Sequence, residues 1–423
     1  MHRKSIGFSL NTLQKSVIIS LIFSAASSGL NYLFQIVIAN MLSVSDFGIY
    51  NSINSFAANA VVVFTPLSVI ACKFTALSKG QYGKNRRVYG KLIKFSCIII
   101  GGMMIIGGIL SAVKNKLRLD SMFTLQIFFL MIGISGLYGI AYSIIQGMKC
   151  FVIYGMVGNL LIIFKIVLSV LNLKYGMGIP GIIYAMLLSY TVVLLIQCIF
   201  IMKLMNDGET FFEINNKEIL SLYGTTFIAN AFCSFYMNGG EIIFMTLIYD
   251  SEEIALYSSA IMLGKVSLYV VSILSTVLFP TFASQSQQEN DGVKLLYKSI
   301  IISVSIAGIY ILLLGIFGKF IIPFFFGTEY DAAVELIPYI AVFVLPLSVL
   351  SIVHYYVLGV GRLKLYTGLM GIITCFVMGI LYFYIDNIKY VPVILGIGLS
   401  TILVSTVIVT TLKGKKGGIW VEK

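Results

Sequence analysis

Three charged residues, Lys165, Glu241 and Lys265, lie deep inside long apolar stretches of the sequence. An uncompensated charge at the centre of a membrane helix costs at least about 2.5 to 3.5 kcal/mol on insertion scales, so such residues are expected to have a function or a partner. Lysines that line a water-filled cavity attract anions, and a carboxyl group in apolar surroundings binds a proton more readily. Lys165 and Lys265 are therefore candidate residues for binding an anionic ligand, and Glu241 is a candidate ion-coupling residue.

Each candidate also has a structural alternative. Either lysine could pair with Glu241 and hold two helices together, and Glu241 could be a neutral acid hydrogen-bonded to a neighbouring helix. Asn31 and Asn238 are further candidates for binding a polar ligand, although amides in such positions also join helices through hydrogen bonds. For His354, near the end of an apolar stretch, a packing role is favoured over a proton relay.

These residues are carried by apolar stretches that are long enough to cross a bilayer, which requires about 20 residues each. Of the 423 residues, 59% are hydrophobic and only 11% are charged. The sequence supplies such stretches at residues 17–41, 51–72, 93–113, 122–145, 152–173, 180–202, 223–249, 254–279, 299–325, 335–358, 364–385 and 390–411. It therefore predicts an all-α polytopic membrane protein with about twelve transmembrane helices.

The distribution of Lys and Arg predicts the orientation. With the N-terminus in the cytoplasm, 21 of the 29 Lys and Arg residues fall on the cytoplasmic side and six on the opposite side. Both termini are therefore expected to be cytoplasmic, and the net charge of +12 reflects topology rather than nucleic-acid binding. The dense cluster from Lys73 to Lys94 is best explained as a topology signal, although it would also attract anionic lipid headgroups or an anionic substrate. The N-terminal segment resembles a signal peptide, but its apolar run continues to Leu42, which favours an uncleaved span.

The second half of the chain repeats features of the first half. At an offset of 207 residues, the matches pair Asn31, Asp46, Gly48, Tyr50 and Ser52 with Asn238, Glu253, Ala255, Tyr257 and Ser259. Gly147 and Tyr154 match Gly359 and Tyr366 at an offset of 212 residues. Because each half holds an even number of spans, the repeats are expected to be parallel. The prediction is two six-helix bundles, residues 1–205 and 206–423, around a central cleft that both Lys165 and Lys265 face.

Four short motifs occur in order along the chain. They are Leu42-Ser-Val-Ser-Asp-Phe-Gly-Ile-Tyr50, Gln146-Gly-Met-Lys149, Ala255-Leu-Tyr-Ser-Ser-Ala260 and Phe326-Gly-Thr-Glu-Tyr-Asp-Ala-Ala333. Their order and spacing resemble the polysaccharide-transport branch of the multidrug, oligosaccharidyl-lipid and polysaccharide exporter (MOP) superfamily, which includes O-antigen flippases. The resemblance implies a flippase that moves an undecaprenyl-diphosphate-linked oligosaccharide to the outer face of a bacterial inner membrane. Rocking of one bundle against the other would give alternating access, and Glu241 would couple transport to an ion gradient. The resemblance also implies membrane lipids, a polysaccharide polymerase and chain-length machinery as partners.

One position departs from that family. Relatives often carry an acidic residue followed by a basic one in the seventh span, whereas Gly240-Glu241-Ile242 keeps only the acid. A mechanism that uses an adjacent charge pair therefore does not transfer to this position. The repeat counterpart of Glu241 is Phe34, so the charge belongs to one half of the chain alone.

Two other functions stay open. A cation-coupled multidrug exporter of the same fold would be expected to line its cavity with carboxylates and aromatic rings rather than lysines. A membrane glycan polymerase or ligase usually needs a large external loop, and the external loops here are short. The sequence has no phosphate-binding Gly-Lys-Ser/Thr loop, and its six cysteines lack metal-ligand spacing. No catalytic residue, cofactor or metal site is therefore predicted.

Overall fold

The computed structural model describes residues 10–78, 81–109, 121–204, 216–271, 289–360, 363–384 and 387–414, which contain helices and turns but no strand. The helices are α1 (Leu10–Met41), α2 (Val44–Ala60), α3 (Thr65–Leu77), α4 (Arg86–Ile109), α5 (Met122–Gly147), α6 (Phe151–Lys174), α7 (Gly178–Leu204), α8 (Asn216–Met237), α9 (Gly240–Ile248), α10 (Ser251–Gly264), α11 (Glu289–Phe326), α12 (Ile337–Val360), α13 (Leu363–Tyr384) and α14 (Tyr390–Gly414). A short helical segment, 266–271, follows α10 after a turn at Lys265. The 3₁₀ turns lie at Val61–Phe64, Tyr82–Asn85 and Thr328–Leu336.

The helices are long and apolar enough to cross a membrane. Within the described residues, 11 helical stretches meet this requirement, and α8 with α9 forms a twelfth if the two count as one bent span. One of these stretches falls on each of the twelve predicted positions, so the all-α polytopic fold is confirmed. The second begins earlier than predicted, at Val44 instead of residue 51, because Asp46 lowers the local hydropathy although it lies inside the helix.

The repeated motifs begin equivalent helices in the two halves of the chain. Ser43 is the N-cap of α2, and its hydroxyl accepts a hydrogen bond of 3.1 Å from the amide of Asp46. Asp250, at the same repeat position, caps α10 in a capping box with Glu253. Such caps satisfy amides that the first helical turn leaves unpaired. The matched acidic residues Asp46 and Glu253 therefore have a structural role at two helix N-termini.

The described helices form two compact units. The first consists of the chain up to Met41 and Val63–Tyr223, and the second of Leu42–Val62 and the chain from Gly224 onward. Helix α2 thus packs in the second unit, whereas the division predicted from chain order, 1–205 and 206–423, assigns it to the first half. The predicted division concerns the duplication of the sequence and remains a prediction, whereas the two units describe which helices pack together.

In the second unit, α2 packs closely against α10. A Cβ atom on Gly48 would overlap the backbone carbonyl of Ser251, so only glycine allows this approach. The hydroxyl of Thr246 on α9 also donates a hydrogen bond of 2.8 Å to Ser52 on α2. Phe47 adds an edge-on ring contact with Tyr330, whose ring centroid is 5.9 Å away. Apolar packing and a polar contact together hold α2 in this unit.

Candidate functional site

The span that carries Glu241 is broken near its middle. Helix α8 ends at Met237, α9 begins at Gly240, and the two helices are bent by 61°. Gly239 between them has φ +72°, a left-handed conformation that glycine adopts without steric strain. The break leaves the last carbonyl groups of α8 available to partners other than the next helical turn.

Glu241 lies directly after this break, in the first turn of α9, and is fully buried. Its Oε1 atom is 3.7 Å from Nζ of Lys265 and accepts a hydrogen bond of 3.4 Å from the hydroxyl of Tyr257. Its Oε2 atom has no hydrogen-bond partner in the described part of the chain. Complete burial favours the protonated, neutral carboxyl group, whereas the N-terminal position on α9 and the nearby ammonium group favour the ionised carboxylate.

Lys265 lies at the C-terminal end of α10, and its side chain is 17% exposed. Its Nζ atom donates to the backbone oxygens of Tyr236 at 3.5 Å and Met237 at 3.4 Å, at the end of α8. The ammonium group is also 5.7 Å from the ring centroid of Phe343. Lys265 is therefore paired with Glu241, which is the structural alternative considered for the lysines in the sequence analysis. Lys265 supplies the basic partner that Ile242 does not.

Lys165 lies in the first unit among aromatic rings. It is 8% exposed, and its Nζ atom donates a hydrogen bond of 2.8 Å to the hydroxyl of Tyr190 and lies 4.2 Å from the centroid of that ring. Tyr138 contacts Tyr190 with a centroid distance of 5.5 Å and stacks on Tyr142 at the same distance. Tyr142 stacks in turn on Tyr154, at 3.9 Å. These four rings, the tyrosine cluster, come from α5, α6 and α7.

Two more buried polar side chains share helix faces with these groups. Ser169 follows Lys165 by one turn on α6, and Gln197 follows Tyr190 by two turns on α7. Both side chains are 0% exposed. The hydroxyl of Ser169 and both amide atoms of Gln197 have no hydrogen-bond partner among the described residues. Buried polar atoms are nearly always paired, so these atoms are available to a polar ligand or to water.

The predicted amide sites, Asn31 and Asn238, each form a local hydrogen bond. Asn31 is exposed and donates to the backbone oxygen of Ser27 in its own helix, at 3.1 Å. Asn238 is also exposed, lies at the break before Glu241, and donates to the hydroxyl of Ser234 at 2.6 Å. The structure therefore brings Asn238, Glu241 and Lys265 together at the break. Lys165 and Asn31 belong to the first unit.

His354 contacts the hydroxyl of Tyr366, with 3.4 Å between Nδ1 and the oxygen. The histidine is 7% exposed and joins α12 to α13. This position agrees with the packing role favoured from the sequence.

Several parts of these sites were not predicted from the sequence. The break in the seventh span has a local signal, the run Asn238-Gly239-Gly240 inside an apolar stretch, because Gly pairs are typical of turns. Tyr138 and Tyr142 are spaced by one helical turn and could have been grouped on one face. Nothing in the sequence pairs Lys165 with Tyr190 or Lys265 with Tyr236, because those contacts depend on helix packing.

Solved structures with the same fold are transporters of the MOP superfamily. An inward-facing multidrug resistance MATE family transporter has a TM-score of 0.73 at 15% identity, with 95% of this chain and 98% of that chain covered. An outward-facing structure of a multidrug resistance MATE family transporter has a TM-score of 0.64 at 15% identity, with 95% of each chain covered. A Pyrococcus furiosus transporter, for which reverse polarity of the binding pocket suggested a different function, has a TM-score of 0.67 at 13% identity, with 96% and 97% covered.

A family model described as polysaccharide biosynthesis protein matches residues 13–286. The match covers more than half of the sequence, so the chain belongs to the polysaccharide biosynthesis protein family. The predicted resemblance to polysaccharide transporters of the MOP superfamily is thereby confirmed. No curated protein matches the sequence.

Proposed function

We propose that this protein is a flippase that exports an undecaprenyl-diphosphate-linked oligosaccharide across the bacterial inner membrane for surface polysaccharide synthesis. The observation that carries the proposal is Lys165, a buried cation that is hydrogen-bonded to Tyr190 of the tyrosine cluster. The family and the fold support a transporter in polysaccharide synthesis, and the chemistry around Lys165 supports the class of cargo.

The surroundings of Lys165 fit an anionic sugar conjugate. A diphosphate carries negative charge, which an ammonium group in a low-dielectric interior attracts strongly. Aromatic rings offer flat apolar faces to sugar rings. The polar atoms of Ser169 and Gln197, which have no hydrogen-bond partner among the described residues, can hydrogen-bond hydroxyl groups. Asn31 and Asn238, with exposed amides, are proposed as additional contacts for the oligosaccharide.

Glu241 is proposed to couple transport to an ion gradient. Protonation of this carboxyl group would remove its charge and release Lys265 from the ion pair. The freed ammonium group could then attract the anionic cargo, so that binding of the proton and of the substrate would be linked. Alternating access between inward-open and outward-open states is the proposed transport cycle.

The proposal is tested by deleting the gene in its host and locating the lipid-linked repeat unit. Accumulation on the cytoplasmic leaflet, reversed by the wild-type gene but not by Lys165→Ala at matched expression, is the expected result. Normal delivery to the outer leaflet combined with failed polymerisation would replace the flippase with a membrane glycan polymerase or ligase. Lys389→Ala is the matched control, because Lys389 pairs at 2.8 Å with the exposed carboxylate of Glu335 and belongs to neither candidate site.

A multidrug exporter is the second candidate, and the structural similarity to MATE transporters favours it. The buried charges distinguish the two functions, because a cationic drug would be repelled by Lys165 and an anionic cargo attracted by it. The reverse pocket polarity described for the Pyrococcus furiosus relative suggests that charge is a useful criterion within this fold. Increased resistance to cationic drugs on expression, without any effect on polysaccharide export, would support the multidrug function.

A further inference from the structure

The break between α8 and α9 gathers three oxygen groups around the ammonium group of Lys265. They are the backbone oxygens of Tyr236 and Met237 and the carboxylate of Glu241, which also accepts a hydrogen bond from the hydroxyl of Tyr257. We call this group the oxygen cage. In the structure, the ammonium group of Lys265 occupies the oxygen cage. Its nitrogen is 3.5 and 3.4 Å from the two backbone oxygens and 3.7 Å from the carboxylate.

The chemistry of the oxygen cage matches an alkali cation. Carbonyl groups at a helix C-terminus carry partial negative charge, and such carbonyls coordinate Na⁺ where transporter helices are broken. Hard oxygen ligands suit ions of this class better than nitrogen or sulfur would. The cage has one carboxylate, so its net charge of −1 balances a monovalent ion.

The ammonium group fits the cage loosely. Its three distances to oxygen all exceed the usual range of about 2.7 to 3.2 Å for hydrogen bonds from nitrogen. By contrast, Lys389 is 2.8 Å from Glu335 in an exposed ion pair. Glu241, which is 0% exposed, also keeps its Oε2 atom without a hydrogen-bond partner among the described residues. The oxygen atoms of the cage are therefore incompletely coordinated by the ammonium group of Lys265.

We propose that the oxygen cage is a Na⁺-type site in which the tethered ammonium group of Lys265 takes the place of the ion. The wild-type protein then binds no Na⁺ at Glu241, and any coupling there uses protons. Removing the ammonium group exposes the cage and creates a Na⁺ site. The inference rests on the proposed function only for the coupling role of Glu241, because the geometry of the cage does not depend on the cargo.

The test measures cation binding to the purified full-length protein in detergent, without any lipid-linked substrate. The thermal unfolding midpoint and the binding of radioactive sodium are compared in NaCl and in choline chloride at equal ionic strength. Wild type and Lys389→Met are each expected to have the same unfolding midpoint in NaCl and in choline chloride and to bind no radioactive sodium. Lys265→Met, which removes the charge but keeps a long side chain, is expected to bind one Na⁺ and to unfold roughly 5 °C higher in NaCl.

The double variant E241Q/K265M locates the ion, because it should lose the Na⁺ response that Lys265→Met gains. The inference is overturned if folded Lys265→Met shows no Na⁺-specific binding, or if wild type already binds Na⁺ in a Glu241-dependent way. Should Lys265→Met fail to fold in choline chloride, its recovery in NaCl alone is the expected result, and failure in both salts overturns the inference. A cargo other than lipid-linked sugar would change none of these outcomes, so the two proposals fail separately.

Discussion

Among single residues, Lys165 and Lys265 differ in the kind of partner they have. Lys165 is bonded to a neutral phenol at 2.8 Å, whereas Lys265 is 3.7 Å from a carboxylate. A cation next to a neutral partner keeps its full charge for an incoming anion, and a paired cation must first be released. We therefore expect Lys165 to be the lysine that binds an anionic cargo in the resting state, and Lys265 to bind one only after release from Glu241.

Removing the charge of Lys165 should weaken binding of the anionic cargo. A hydrogen bond to a charged group contributes about 1.5 to 3 kcal/mol, so Lys165→Ala should reduce affinity about 10- to 150-fold. Lys165→Arg should keep much of the affinity, and Tyr190→Phe should change it little because the charge remains. The affinities are compared by measuring the binding of undecaprenyl diphosphate to the purified wild type and to each purified variant. Equal affinities for wild type and Lys165→Ala would contradict the assignment.

Glu241 and Lys265 should depend on each other for stability. Breaking a buried ion pair leaves an uncompensated charge, which costs about 3 to 5 kcal/mol, and the 17% exposure of Lys265 places the cost near the lower end. E241Q and K265M are therefore each expected to destabilise the protein, and the double variant should cost at least about 1 kcal/mol less than their sum. Thermal unfolding in choline chloride measures all four proteins without the effect of Na⁺. Additive losses would show that the two charges do not interact.

Among the elements, the broken span shows how a duplicated helix has diverged. At the repeat offset of 207 residues, Gly239 and Gly240 stand opposite Tyr32 and Leu33. Helix α1 continues through that position, whereas its counterpart is interrupted there. Tyr and Leu avoid the left-handed backbone that Gly239 adopts, so the glycine pair is the local cause of the asymmetry. The same half of the chain carries the oxygen cage.

Replacing Gly239 should disturb the break. The left-handed conformation is about 1 to 2 kcal/mol less favourable for alanine than the right-handed one. The Cβ atom of alanine at this position would also lie 3.1 Å from the hydroxyl oxygen of Ser55. Gly239→Ala should therefore lower the unfolding midpoint, and Gly239→Asn should lower it less because asparagine tolerates this conformation. Gly224→Ala in α8 is the matched control, since nothing lies within 4 Å of its Cβ and alanine favours helix. Equal effects of alanine at the two positions would contradict the strain argument.

The sequence predicted the helices well and their contacts poorly, for physical reasons. Apolar length alone identifies a span, so eleven of the predicted stretches coincide with helices long enough to cross the membrane, and the seventh coincides with the bent α8–α9 pair. Averaged hydropathy cannot register the turn at Gly239, because two glycines hardly change the mean of an apolar window. The polar partners of Lys165 and Lys265 depend on which helix faces pack together, and residues 24 to 29 positions away supply these hydrogen bonds and the ion pair. Chain order likewise gives no sign that α2 packs with the second unit.

At the scale of the whole molecule, the orientation in the membrane decides which end each site opens toward during export. The prediction rests on charge: with both termini in the cytoplasm, 21 of 29 Lys and Arg residues lie on the cytoplasmic side. It also requires an even number of spans, which holds if α8 and α9 cross the membrane as one bent span. If α9 instead returned to the side it came from, the C-terminus would lie outside.

Reporter fusions at the two termini test this arrangement directly. A reporter active only in the cytoplasm should be active at both ends, and alkaline phosphatase, which needs the external compartment, should be inactive at both. A third fusion after Lys174, on the predicted external side, is the positive control for alkaline phosphatase. Activity of alkaline phosphatase at the C-terminus alone would mean an odd number of crossings. The bent α8–α9 pair would then be a re-entrant loop, and the oxygen cage would lie at its tip instead of inside a crossing span.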